Sequence, residues 1–143
     1  MNLAGFPVYG KFAETPLEEE LATLQVSVNP LTHLTKLFVK PMVQQGEGAI
    51  LNMASVASYV PLPRLAVYGA TKAYALFFSE AIGHELADEG IQVTTVCPAS
   101  IDTELFEESE LGEAKLAQGS LNDPRKVAEE AWTGLQNGDR IIR

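Results

Sequence analysis

The chain has 143 residues, 46% of them hydrophobic, which is enough for one domain with a sizeable core and too few for two. Its 19 Asp+Glu against 10 Lys+Arg leave a formal net charge of −9, which disfavours nucleic acid and anionic membrane as partners, because phosphate-rich surfaces reward dense basic patches. Cys97, the single cysteine, forms no internal disulfide, and no stretch has the length of a bilayer span or the pattern of a signal peptide, so the expectation is a soluble cytoplasmic protein.

Thr15-Pro16-Leu17-Glu18 reads as a capping box, with proline at the first helical position and Glu18 placed to reach back to the cap. Apolar residues recur at Leu17, Leu21, Leu24, Val28, Leu31, Leu34, Phe38 and Met42, a three-and-four spacing that predicts one buried face on a helix over residues 16–44. Pro30 offers no N–H to the Val26 carbonyl and predicts a kink near Val26 and Ser27. Gly46 and Gly48 end that helix, and residues 49–54 read as an apolar strand that delivers Ser55 at its C-terminal end.

A loop with Pro61 and Pro63 leads to a second long helix over residues 64–89, closed by Gly90. Residues 91–97 form a second strand, stopped by Pro98, with Cys97 a core residue. A helix that long between two strands predicts a parallel, right-handed strand–helix–strand unit and an α/β fold. Residues 99–119 are acidic and weakly periodic, which predicts a mobile, lid-like segment. A last helix starts at Asp123-Pro124 and ends at Asn137-Gly138, followed by the beginning of a strand at residues 140–143.

Tyr68 and Lys72 are four apart on the second long helix and emerge on one face. A tyrosine of pKa about 10 needs roughly 4 kcal/mol to act as a base near pH 7, and a lysine about 4 Å away at an effective dielectric of about 20 supplies about that much. Ser55, at the C-terminal end of a parallel strand, lies where open α/β sheets place their ligands, and its hydroxyl both donates and accepts. Together the three suit carbonyl–alcohol redox chemistry. His33 and His84 are far apart in sequence, and no metal site is expected.

With residues 50–55, the Tyr68-Gly69-Ala70-Thr71-Lys72 run, residues 98–103 and the turn at residues 2–5, the chain resembles the short-chain dehydrogenase/reductases over nearly its whole length. The resemblance implies the C-terminal half of a Rossmann-like, doubly wound parallel sheet, a single partial domain over residues 1–143 lacking the first strands and the Gly-rich phosphate loop. It implies that Tyr68 is the general acid/base, that Lys72 lowers its pKa and binds the nicotinamide ribose, and that Ser55 orients the substrate. Asn2, Ala4, Gly5, Pro98 and Thr103 join Tyr68 and Lys72 as cofactor contacts, with NAD or NADP as the cofactor. Ser27 stands where the family has its active-site asparagine, Leu3 and Ala99 replace an asparagine and a glycine, and Asn29 is turned from the Ser27 direction by about 200°.

Two functions follow from that resemblance. One is an NAD(P)-dependent oxidoreductase acting on a small carbonyl or alcohol substrate. The other is a non-catalytic remnant or interaction module, which pairs with another copy or a complementing chain through its long helices, since a half-sheet leaves a strand edge uncovered.

Overall fold

The computed structural model describes residues 1–99 and 122–143. Helices α1 (Leu17–Ser27) and α2 (Asn29–Gln45) stand where the pattern predicts one kinked helix. The division falls at Val28, with Pro30 in the first turn of α2: the missing N–H and the crowding ring turn one helix into two. The helix start also differs from the expected box. Thr15 Oγ1 donates to Glu20 Oε1 at 2.9 Å, and no side chain caps the helix, because Pro16 itself occupies the cap position and the first turn begins a residue later.

The expected buried face is corrected more substantially. Leu17, Leu21 and Phe38 are 70%, 52% and 58% exposed, whereas Glu20, Thr23, Ser27, Leu31 and Thr35 are buried. Both rows repeat every three or four residues, so period alone does not choose between them. The inward row packs toward helix α3 (Ala66–Leu86) and strand β1 (Gly48–Met53), where Thr71, Lys72 and Met53 share its pocket; of the expected row Leu31 is buried with it, and Leu17, Leu21 and Phe38 are left outside.

Strand β2 (Ile91–Val96) follows α3, then helix α4 (Pro124–Asn137) and the short strand β3 (Ile141–Ile142). Among the described residues the sheet has three strands in the order β1-β2-β3, all parallel, with Asn52 opposite Thr95 and Thr95 opposite Ile141. On the other edge of β1, Asn2 makes a parallel bridge to Asn52. Neighbouring residues point to opposite faces. Ile50 accordingly packs with Val39, Met42 and Ile82 of α2 and α3, while Leu51 packs with Val127, Ala131 and Leu135 of α4. Helices therefore cover both faces of a parallel sheet, the α/β arrangement its apolar strands require.

Two glycines set the lower ends of β1 and β2. Gly46 (φ 72°) and Gly90 (φ 74°) both close helical segments in the left-handed region, and a Cβ on Gly90 would collide with the Gly46 carbonyl oxygen. That close approach brings Gly48 opposite Ile91. Helix α3 starts at Ala66, two residues later than the pattern suggests, because Arg64 has φ 69°, outside the helical region. Asp123 accepts from the Arg125 N–H at 2.9 Å, the expected cap of α4. Among the described residues, no helix is long and apolar enough to cross a membrane. The acidic lid-like segment and Thr103 lie outside the described residues.

Candidate active site

Strand β1 ends at Met53, and the chain turns at Ser55 into a short 3-10 turn, Val56–Tyr59. Ser55 Oγ accepts from the Ala57 N–H at 3.1 Å and donates to the Pro98 carbonyl at 3.5 Å, so its hydroxyl is held between the ends of β1 and β2. Ser58 completes the turn. Its Oγ accepts from the Ser55 N–H at 3.3 Å and donates to the Lys72 carbonyl at 2.8 Å, which ties the serine loop to α3. Ser58 lies outside the Ser55, Tyr68 and Lys72 pattern, and the sequence signal that marks it is a serine three residues after a capping serine.

Tyr68 and Lys72 lie one turn apart on α3, as their spacing predicts. Lys72 is 7% exposed; its Nζ donates to the Met53 carbonyl at 3.3 Å and lies 5.7 Å from the centroid of the Tyr68 ring. Burial lowers the Lys72 pKa to about 8, against a smaller upward pull from Cys97. Burial also raises the Tyr68 pKa. The expected lowering of Tyr68 by Lys72 is thus absent from this arrangement: Met53 anchors the ammonium over the ring face, and loss of hydration governs the phenol.

The turn at residues 2–5 completes the surroundings. Asn2 exchanges backbone bonds with β1, its N–H donating to Leu51 and its carbonyl accepting from Met53, both at 2.9 Å. A pocket of about 130 Å³ opens between this turn, α1 and α3, lined by Asn2, Ala4, Ser27, Met53, Thr71 and Lys72. Gly5 borders the same space: a Cβ there would come within 3.0 Å of Ser27 Oγ and 3.7 Å of Lys72 Nζ. Ser27 Oγ is buried without a hydrogen-bond partner among the described residues, so the site presents an unsatisfied hydroxyl beside a buried ammonium. Pro98 is half-buried and Ala99 exposed at the end of β2.

Residues 1–114 match the family model for short chain dehydrogenase. The chain belongs to the short-chain dehydrogenase family. It is similar to a probable oxidoreductase, EphD, of Mycobacterium tuberculosis, 35% identical over 106 residues, which cover 73% of this chain and 18% of that protein. An uncharacterized oxidoreductase of Staphylococcus epidermidis is 31% identical over 115 residues, covering 80% of this chain and 50% of that one. Among solved structures, a short-chain dehydrogenase from Sphingobium yanoikuyae in complex with NADPH superposes with a TM-score of 0.88 at 28% identity, covering 99% of this chain and 54% of that one. The chain therefore spans half or less of the length of these curated relatives, and the partial Rossmann fold inferred from sequence is the fold it has.

The residues present fit the nicotinamide end of such a cofactor. An ammonium has three N–H groups and Met53 accepts one, which leaves Lys72 able to donate to a ligand hydroxyl. Gly5, by lacking a side chain, keeps the space beside that ammonium open. No Gly-rich phosphate turn occurs in the sequence, so the fit concerns one end of the cofactor only.

Proposed function

We propose that this chain supplies the carbonyl-binding and nicotinamide-binding end of an NAD(P)-dependent oxidoreductase that interconverts a small carbonyl compound and its alcohol. The observation that carries the reading is the buried Lys72 ammonium held by Met53 over the Tyr68 ring, beside the turn at residues 2–5. The nicotinamide, when bound, supplies or takes up a hydride. Lys72, with Asn2, Ala4 and Gly5 around it, would hold that end of the cofactor, and Pro98, beside Ser55 at the end of β2, and Thr103 are proposed as further contacts.

Ser55 would hydrogen-bond the substrate oxygen through its O–H, keeping its proton, in exchange for its long bond to Pro98. Tyr68 then gives its phenolic proton to the same oxygen. Burial keeps the phenol protonated, which is the form needed in the reducing direction. In the oxidising direction Tyr68 takes up that proton, and the positive charge of Lys72 stabilises the phenolate that must exist first. The test is Tyr68→Phe: NADPH-dependent carbonyl reduction should fall by ~10³-fold or more while NADPH binding persists. Unchanged turnover rejects the role.

A second reading, association through the long helices with a second copy or a complementing chain, is favoured by the outward leucine row. Leu17, Leu21, Leu37 and Phe38 on α1 and α2 are each more than half exposed, as is Phe77 on α3. Apolar surface of that extent is normally covered. The two readings are compatible, since an associated form can carry the same site.

A further inference from the structure

Asn52 is fully buried in β1, and its amide is used at both ends. Its Oδ1 accepts from Asn2 Nδ2 at 2.8 Å, its Nδ2 donates to Ser79 Oγ at 2.8 Å, and Ser79 donates onward to the Ala75 carbonyl at 2.6 Å. The elements so joined are those that carry the site: the turn at residues 2–5, strand β1 with Ser55 beyond it, and helix α3 with Tyr68 and Lys72. The neighbouring contacts are small or apolar, among them Ala54, Ala75 and Leu76. Such contacts tolerate a small slide of a helix along a strand, whereas a hydrogen bond of this geometry weakens steeply with it.

Ser79 lies two turns beyond Lys72, about 10 Å along the helix axis, so fixing Ser79 fixes the rise and rotation of the whole segment. Lys72 in turn reaches the carbonyl of Met53, the residue next to Asn52. A branched apolar residue would fill a central parallel strand without exposing the fold to the penalty of an unpaired buried amide. The satisfied network supplies direction, which packing alone does not.

We infer that Asn52 is a positioning residue: through Ser79 and Asn2 it sets helix α3 and the turn at residues 2–5 in register with β1, and so holds Lys72, Tyr68 and Gly5 around one site. Its functional meaning rests on the oxidoreductase reading above. The register itself can be read without it.

The experiment compares the full chain with the double variant Asn52→Leu/Ser79→Ala, which removes both partners of the strand–helix bond and leaves few buried atoms unpaired. Two quantities are followed: the titration of the Lys72 side chain by NMR, and NADPH binding by fluorescence. The variant should melt near the parent temperature, yet Lys72 should titrate upward from about 8 by roughly one unit as its seat loosens, and NADPH affinity should fall ~10-fold. An unchanged Lys72 titration in a folded double variant overturns the inference. If the double variant does not fold, Ser79→Ala and Ser79→Thr take its place. A shift in the first that the second, with its hydroxyl retained, restores supports the inference; a Ser79→Ala titration equal to that of the parent overturns it. Failure of the parent itself to bind NADPH counts against the oxidoreductase reading, and the Lys72 titration still decides the positioning role.

Discussion

The ammonium of Lys72 lies 5.7 Å from the centroid of the Tyr68 ring, in contact with the face of the aromatic system. Each group is shifted toward its neutral form by burial, Lys72 down to about 8 and Tyr68 upward. Such a pair is a store of electrostatic free energy, because burial penalises the charged form of both groups.

That store has a pH signature. Folded Lys72 holds its proton less tightly than the unfolded chain, whose lysine keeps the ordinary value of 10.5, so between about 8 and 10.5 the unfolded state binds more protons. The Lys72 contribution to stability therefore rises with pH across that window, by up to about 3 kcal/mol. Below pH 8 both states are protonated and the full desolvation penalty weighs on the fold; above about 10.5 it is gone. Tyr68 and Cys97, both raised by burial, act in the opposite sense at their own alkaline pKa values, so the comparison must be with a variant. Urea unfolding of the parent and of Lys72→Met at several pH values should show the parent gaining stability relative to the variant from pH 8 upward. Parallel curves would mean that Lys72 is not buried as charged.

Ser55 has a structural duty that must be separated from any chemical one. Its Oγ caps the turn that follows by accepting from Ala57, and its N–H meets Ser58. Ser55→Ala should therefore lower stability by about 1 kcal/mol, the usual value of such a cap, in a chain with no ligand present. Denaturant titration measures it. No loss of stability would indicate that the turn is held by Ser58 alone.

Gly90 tests the lower edge of the sheet. Its left-handed backbone and its approach to the Gly46 carbonyl leave no room for a side chain. Gly90→Ala should destabilise the fold by more than ~2 kcal/mol, whereas Gly46→Ala, with open space around the site and only the backbone preference to overcome, should cost about 1 kcal/mol. Equal costs would mean that the two turns do not touch in solution.

The outward leucine row makes a separate prediction. Leu21→Asp and Phe38→Asp change exposed positions, so thermal stability of the isolated fold should move by less than ~0.5 kcal/mol. Sedimentation should nevertheless shift toward smaller species, because a charge placed in an apolar contact between chains is expensive to desolvate. Identical sedimentation of variant and parent would remove the case for association through these helices.

Much of this was legible in the sequence because local chemistry specified it. Mostly apolar runs before Ser55 and before Pro98, with a long helical run between them, imply parallel strands, and β1, α3 and β2 stand there. Pro30 announced the break at Val28. The helix faces were not legible, because the rows through Leu21 and through Thr23 share one period, and the choice between them is made by packing against α3 and β1, which local sequence does not encode. The Tyr68–Lys72 spacing put both side chains on one face, but the Met53 carbonyl that captures the ammonium comes from a different element and has no trace in the motif. Asn52 read simply as a strand residue, since nothing local marks an amide as bonded to Ser79, 27 positions away.

The most direct test of the central claim is an NMR titration of the chain with NADPH and, separately, NADH. Binding to the proposed site should perturb the resonances of Ser55, Tyr68, Lys72 and Gly5 in a saturable way, with the Lys72 side-chain signal among the largest shifts. Saturable shifts confined to other surfaces such as α4, or no shift with either nucleotide at millimolar concentration, would contradict it.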